Sequence, residues 1–417
     1  MKKYVFIAPT LANMGGAQMY IRNKLLYLRQ KDWVVSIIRA EGGFAQLSEL
    51  QEFDVIVPEL AFDIFCFSKR KRKKIVNFIS NTIDANSFDE VIIESTCISE
   101  GSWAEAVASK IGAKHLLFLL QENNFVDNKG MRDFFTFKHQ RKELVGISET
   151  SLLQLFEHFN PITPDISYSL PAYCNNVEAD IDHPLLHTVE KKKYDAIVGC
   201  LSRLDKPFII PSIGDFCKYA NNNNEKRFLL LMIGGAPKGS GIEDKIITLV
   251  KTETSNVEIM VLGYLYPVPT KLLELCDVFF SSAGSAIVCM RSGAPTIVYD
   301  GNDYKPIGIL GRTTNSLLFR DENEPPLNFS MLMEQILTKK RFIKEQPSFQ
   351  DGLPDFSTHL EYLSTTKQEK KYFDVESIRP DSILDYKLKI ALALIGANNY
   401  LKLGFLKQKW FGNIDEK

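Results

Sequence analysis

Ala196-Ile197-Val198-Gly199-Cys200-Leu201, followed at once by Ser202-Arg203-Leu204-Asp205-Lys206, is the stretch on which the fold turns. A short apolar run bounded by polar residues reads as a buried strand. It restarts a pattern already present at the N-terminus, where Val5-Phe6-Ile7, Val34 to Ile38, Val91 to Ile93 and Leu116 to Leu120 are brief apolar runs. Between the first two, Ile21, Leu25 and Leu28 fall on one face of a helix over Gln18 to Leu28. After 196–201 come Phe228 to Ile233, Val257 to Leu262, Val278 to Phe280 and Thr296 to Tyr299, again with helix-length spacers. His183 to Tyr194, with Pro184 and Glu190-Lys191-Lys192-Lys193, separates the two series as a charged linker would. The expected class is therefore α/β: two doubly wound, Rossmann-like parallel-sheet domains facing across a cleft, with C-terminal helices. The expected bounds are 1–182, a linker at 183–194, a second domain at 195–365, and a helical segment at 366–417 packing back on the first domain.

With 417 residues the chain is long enough for two cores. Its 50 Lys and Arg against 51 Asp and Glu leave a net charge of −1, which argues against nucleic-acid binding through overall charge. At 45% hydrophobic and 24% charged residues, it has neither a disordered nor a many-span membrane composition. Seven cysteines, with no C-x-x-C pair, fit a reducing compartment. The apolar run before Pro9 is too short for a secretory leader, and no stretch approaches the roughly 18 apolar residues of a spanning helix. A cytoplasmic protein is expected, able to sit peripherally at the inner face of the membrane. Among the six histidines, only His183 and His187 are four apart, and Pro184 between them spoils a shared helical face; no metal site is expected.

Three motifs could carry chemistry. Gly15-Gly16-Ala17-Gln18 lies between a strand and a helix, where glycines bring backbone N–H groups close to an anion favoured by the helix dipole; the same residues would also make a plain βα turn. The fingerprint G-x-G-x-x-G is absent, which argues against a dinucleotide dehydrogenase. Arg203 and Lys206 leave the end of a strand three residues apart, where cations suit a diphosphate leaving group, or form a solvated surface pair. Ser281-Ser282-Ala283-Gly284-Ser285 ends another strand in small residues that can expose amides and hydroxyls to phosphate, or simply cap a helix.

Taken in order, Gly15 to Gln18, Ser202 to Lys206, Ile233-Gly234-Gly235, Leu262-Gly263-Tyr264-Leu265, and Cys276-Asp277-Val278-Phe279 through Ser292-Gly293-Ala294-Pro295 resemble sugar-nucleotide-dependent glycosyltransferases of the GT-B fold, family 4 (group 1). The resemblance covers roughly residues 1 to 365. It implies an acceptor bound mainly by the first domain and a nucleotide-sugar donor mainly by the second. By that analogy Gly15 and Gly16 lie near the donor phosphates, Arg203 and Lys206 hold the diphosphate, and the Gly263 to Leu265 backbone borders the base. Ser282, Gly284 and Ser285 add phosphate contacts, and neither metal nor other cofactor is needed. The implied activity is transfer of a hexose-like sugar to a hydroxyl of a bacterial surface polysaccharide precursor, free or lipid-linked. Two departures stand out. Val288 takes the place of the second of two family glutamates, and the shortened Ser-Ser-Ala-Gly-Ser loop is closer to that of lipid-linked muramyl-type transferases. Gln121 stands where relatives place histidine, beside Glu122, which fits the acidic place and could take the acceptor proton or orient a sugar hydroxyl. Glu94, ending Val91-Ile92-Ile93, is a weaker candidate of the same kind. These losses keep open a catalytically weak GT-B-like protein binding a sugar nucleotide or a partner transferase, and a sugar-nucleotide epimerase.

Two basic features suggest contact with anionic headgroups. Lys69-Arg70-Lys71-Arg72-Lys73-Lys74 is an unbroken cationic run, and Lys387, Lys389, Lys402, Lys407 and Lys409 intersperse apolar residues in the C-terminal helix. The alternatives are a solvated helix for the first and a helix packed on domain one for the second.

Overall fold

The computed structural model describes residues 1–9, 15–40, 50, 54–120, 126–157, 163–165, 167–174, 177–178, 182–237, 239–349, 353–366 and 371–403. The chain forms two compact units: Met1–Cys174 together with Leu353–Lys417, and Asn175–Gly352.

The first unit is built on β1 (Lys2–Ala8), β2 (Val34–Arg39), β3 (Asp54–Ile56), β4 (Glu90–Ser95), β5 (Lys114–Leu119) and β6 (Leu144–Gly146). They pair in parallel in the order β3-β2-β1-β4-β5-β6, so the winding direction reverses between β1 and β4. Helices on both faces bury the strands, which is why β1 and β4 read as unbroken apolar runs. Local signals set the helix ends: Ser68 caps Lys69–Ile83, Asn128 caps Lys129–Gln140 by accepting from the Met131 N–H at 3.0 Å, and Gly112, at φ +70°, closes Ile98–Ile111. The late segment returns to this unit. The Tyr372 hydroxyl donates to the Ala113 carbonyl at 3.0 Å, and Asn128 Nδ2 donates to the Arg379 carbonyl at 2.8 Å.

The second unit repeats the plan. Its strands are β7 (Val177–Glu178), β8 (Ala196–Leu201), β9 (Phe228–Ile233), β10 (Val257–Val261), β11 (Val268–Pro269), β12 (Val278–Ser281), β13 (Thr296–Tyr299) and β14 (Pro306–Ile309). The main sheet runs β10-β9-β8-β12-β13-β14, and β7 pairs separately with β11. The last strand alone is antiparallel, and its Pro306 is tolerated because the strand lies at the edge. Both units thus have the doubly wound order and a switch point between their first and fourth long strands. The sequence reading did not mark β3, β6 or β14, which are short edge strands too brief or too interrupted for a clear apolar run.

Candidate functional site

In an open α/β sheet, ligands bind beyond the carboxyl ends of the strands at the switch point. In the second unit that place lies between β8 and β12. Leu201, the last residue of β8, accepts from the Ser281 hydroxyl at 2.8 Å across the switch, so the Ser202 to Lys206 loop and the Ser282 to Ser285 loop leave adjacent strands.

The neighbouring strand ends are held close by glycine. Gly234, at φ +148°, pairs with Gly263 just beyond β9 and β10, and a Cβ on Gly234 would lie 1.8 Å from the Ser202 carbonyl oxygen. No larger residue fits that approach. A Cβ on Gly235 would fall 2.6 Å from the Tyr264 ring, so that ring lies directly on the glycine backbone. Tyr264 and Tyr266 stack with centroids 6.1 Å apart and planes at 24°.

Arg203 is exposed at the end of β8. It forks onto Asp205, with Nε donating to Oδ1 at 3.0 Å and a terminal nitrogen donating to Oδ2 at 2.8 Å. The Asp205 fork raises the guanidinium pKa above its ordinary value, against an opposing push from burial, and the Tyr264 and Tyr266 phenols act in the same direction as Asp205. A planar cation oriented in this way matches a phosphate by bidentate donation. Lys206 is half-buried, with its backbone N–H donating to the Arg203 carbonyl at 3.4 Å.

The serine-glycine loop divides in two. Ser282 is buried, and its hydroxyl donates to the Tyr299 carbonyl at 3.0 Å, so the side chain ties the end of β12 to β13. That bond satisfies the buried hydroxyl as it stands, and a phosphate contact would require the side chain to turn from the Tyr299 carbonyl. Ala283, at φ +56°, turns the chain into the helix Gly284–Arg291. That helix start carries no side-chain cap and no acidic residue in its first turn, and Gly284 is exposed. Its first amides are therefore placed to meet an anion, with Ser285 beside them half-buried. Gly263, at φ +68°, and the half-buried Leu265 flank Tyr264.

In the first unit Gly15 and Gly16 open the helix Gly16–Gln30, again without a side-chain cap or an acidic first turn. Gln121 and Glu122 lie outside the described residues. Glu94, the weaker carboxylate candidate, is wholly buried. It takes the Lys24 ammonium at 2.6 Å, the Tyr4 hydroxyl at 2.5 Å and the Tyr20 hydroxyl at 2.9 Å. Lys24 spends its other two hydrogens on the Tyr20 oxygen at 2.9 Å and His359 Nδ1 at 3.3 Å, while His359 Nε2 donates to the Pro171 carbonyl at 2.9 Å. Burial, then the Lys24 charge, pushes His359 down to about 3, so the ring is neutral. Wholly buried and held by three donors, this carboxylate is out of reach of an acceptor hydroxyl.

A second buried group has the outline of a nucleophile relay. Ser95 Oγ lies 2.8 Å from His115 Nε2, and His115 Nδ1 lies 2.7 Å from Glu105. Lys138 also donates to Glu105, at 2.9 Å, and to Glu143, at 2.7 Å. Burial, then Lys138, lowers His115 to about 4. Burial raises the Glu105 carboxyl, but Lys138 and His115 outweigh it and hold the group at about 2. All of Ser95, His115 and Glu105 are buried beneath the surface, so no substrate reaches them. His115 stands inside β5 in this network. Both networks escaped sequence reading because their members are far apart in the chain. Asp205 and the Tyr264–Tyr266 pair were also missed, although the Tyr-x-Tyr spacing after Gly263 was the available signal. Of the cationic run, Arg72 is buried and its Nε donates to the Phe67 carbonyl at 2.8 Å, which removes it from any surface role. Among the described residues no cluster of His, Cys, Asp or Glu could hold a metal ion, and no helix is long and apolar enough to cross a membrane.

No family model matches the sequence, and no curated protein matches it. Solved structures do match by shape. The chain is similar to Anabaena Alr3699/HepE in complex with UDP and glucose, at TM-score 0.54 and 14% identity, covering 82% of this chain and 92% of that one. It is similar to a glycosyltransferase from Rickettsia africae ESF-5, at TM-score 0.52 and 12% identity, covering 98% and 99%. It is similar to a Staphylococcus aureus TarM variant crystallised with UDP, at TM-score 0.50 and 12% identity, covering 81% and 93%. At such identities the likeness speaks for architecture. With two doubly wound sheets of matching order, the chain has the GT-B fold.

Proposed function

We propose that this protein is a glycosyltransferase that moves a sugar from a nucleoside diphosphate donor to an acceptor hydroxyl. The observation that carries the reading is the second unit's switch point, where Arg203, oriented by Asp205, shares the strand ends with uncapped amides at Gly284 and Ser285. In this reading Arg203, Lys206 and those amides bind the diphosphate, while Gly263 to Leu265 border the base beside the Tyr264–Tyr266 pair. Gly15 and Gly16 supply the same kind of anion-facing helix start in the first unit. The acceptor oxygen attacks the anomeric carbon, the bond from that carbon to the phosphate oxygen breaks, and its electrons leave with the diphosphate. Positive charge and oriented amides stabilise that departure. Glu122 is the proposed carboxylate for the acceptor proton, with a hydroxyl of a surface-glycan precursor, free or lipid-linked, as acceptor. Support comes from matched structures that carry UDP or are described as glycosyltransferases.

A second reading rests on the resemblance, by which Val288, on the helix Gly284–Arg291, stands where a glutamate is expected. It makes the protein a sugar-nucleotide binder without turnover. A thermal-shift screen against UDP, GDP, ADP and CMP, followed by transfer and hydrolysis assays with the matching sugar nucleotides, tests both. One nucleotide should raise Tm, by the linkage RT ln(1 + [L]/Kd), and Arg203→Ala with Lys206→Ala should abolish the rise. Binding without turnover selects the second reading, product from donor alone points to an epimerase or hydrolase, and no nucleotide response rejects all of these.

A further inference from the structure

A helix lying on a protein surface normally buries one stripe and gives water the other. The helix Ile383–Ile395 does not. Its inner side packs Leu388 and buries Leu392 against the first unit's core. Its outer side also presents hydrocarbon: Ile383, Ile390 and Leu394 are 77, 61 and 80% exposed, and Tyr386 is 53% exposed. Positions 383, 386, 390 and 394 follow the helical repeat, so they form one ridge. Helical backbone resumes at 397 and runs to 403, with Leu403 also exposed. Lys387 is exposed on the same outer side, and Lys402 is exposed near the far end.

The ridge has a cationic neighbour. The Asp63 and Cys66 side chains lie within electrostatic reach of Asp385 and Lys389, and Phe62 meets the Tyr400 ring at 5.6 Å, which seats the two C-terminal turns against residues 62–66. Lys69–Ile83 begins three residues further on, with Lys69, Arg70, Lys71, Lys73 and Lys74 exposed and Phe78 53% exposed. Lys69 also lies 3.5 Å from Glu376, just ahead of the C-terminal helix.

We propose that this surface of the first unit docks on an anionic phospholipid bilayer, with the ridge Ile383, Tyr386, Ile390 and Leu394 entering the headgroup boundary. Apolar side chains flanked by lysine and arginine are what an interfacial helix needs, and the cations choose the charge of the lipid. A protein partner would be expected to meet the ridge with its own apolar groove, but the adjoining block of five exposed cations favours a continuous anionic surface. The inference does not rest on the donor reading, since lipid binding is measured without nucleotide.

The test is co-sedimentation of the full chain with sucrose-loaded vesicles of phosphatidylcholine alone, or with 30% phosphatidylglycerol as a choice of order-of-magnitude surface charge. Binding should be confined to the anionic vesicles and should weaken as salt rises. Ile390→Glu with Leu394→Glu should lower the partition coefficient at least about tenfold, with Tm unchanged because both side chains face out. Lys69→Ala, Arg70→Ala, Lys73→Ala and Lys74→Ala together should lower it too, at about fivefold per cation before screening. The proposal is overturned if wild type and the ridge variant partition equally. It is also overturned if light scattering shows a dimer that the ridge variant dissolves and anionic vesicles do not, which assigns the ridge to a second copy. Selectivity for phosphatidylglycerol that survives removal of the four cations overturns the electrostatic half.

Discussion

The fourth strand of each sheet ends in very different chemistry, although both stand beside a switch point of the same topology. β4 ends in Glu94 and Ser95, each committed to a buried polar network. β12 ends in Ser281, and Ser282 follows it, each bonded to a neighbouring strand carbonyl, before the chain turns at Ala283 and Gly284. The contrast extends through the cores. Among the described residues the first unit buries Lys3, Lys24, Arg39, Arg72, Glu94, Glu100, Glu105, Lys138 and Arg141, whereas in the second unit Asp300 is the buried charge. Topology therefore fixes where a ligand could sit, and side-chain size at the strand ends decides whether the place is already filled. In the first sheet the networks also hold the returning chain. His359 belongs to the Lys24 group, and Glu105 accepts from the Phe373 N–H at 2.9 Å. We read the buried charges as devices that fix the register of that return, a specificity role that buried ion pairs can serve.

The largest effect expected to test this contrast is from Glu94→Ala. It leaves a buried ammonium and two phenols without their acceptor, which should destabilise the first unit by about 3–5 kcal/mol. Replacing both partners, as Lys24→Met with Glu94→Leu, should recover most of that loss. Urea denaturation followed by a probe in each unit measures both; if the double variant is no more stable than the single, packing rather than charge is what matters there.

Next is Arg203→Ala. Because the guanidinium is exposed, folding stability should change little, while kcat/KM should fall about 10²–10³-fold, as for other lost leaving-group or oxyanion donors. Asp205→Asn should cost less, since it removes only the group that orients Arg203. Equal losses would mean that the two act as one unit, and no loss in either would move the phosphate site away from β8.

Acid should also separate the two units. The folded pKa values of His115 and His359, about 4 and about 3, lie below the ordinary 6.5. Stability from keeping them neutral is present above pH 6.5 and is lost as pH falls through those lower values, up to roughly 3 kcal/mol for His115 and roughly 5 kcal/mol for His359. Glu105, at about 2, adds a loss in the same direction at still lower pH. Asp63 opposes them: burial, then Asp385, raises it to about 6, so its contribution is present below its unfolded value and disappears as pH rises through 6. Histidines outnumber it, so hydrogen exchange between pH 7 and pH 4.5 should show protection falling in β4 and β5 and holding in β8 and β12. Equal loss in both sheets contradicts the assignment.

The long strands were legible because burial on both faces leaves unbroken apolar runs, as in Ala196 to Leu201 and Phe228 to Ile233. Edge strands such as Asp54–Ile56 were not, because three residues with one face open carry too little pattern. At the site, glycine and cation positions could be read from their place after a strand. What each side chain holds could not, since Ser282 and Ser285 look alike in sequence while only the fold shows that Ser282 faces a carbonyl. Lys24, Glu94 and His359 had no local signature at all, being 335 residues apart at the extremes.

That distinction between two serines gives the smallest and sharpest prediction. Ser282→Ala removes a neutral buried hydrogen bond to the Tyr299 carbonyl, so it should lower second-unit stability by about 1 kcal/mol and leave nucleotide affinity unchanged. Ser285→Ala sits at the open helix start and should do the reverse, weakening nucleotide binding several-fold with little change in Tm. Calorimetric titration beside thermal melts measures both quantities on the same samples. If Ser282→Ala weakens binding while its Tm stays at the wild-type value, the hydroxyl must turn from the carbonyl to the phosphate when the donor arrives. The fourth strand of the second sheet would then use its hydroxyls as ligands, and the contrast with the filled end of β4 would be one of motion as well as of size.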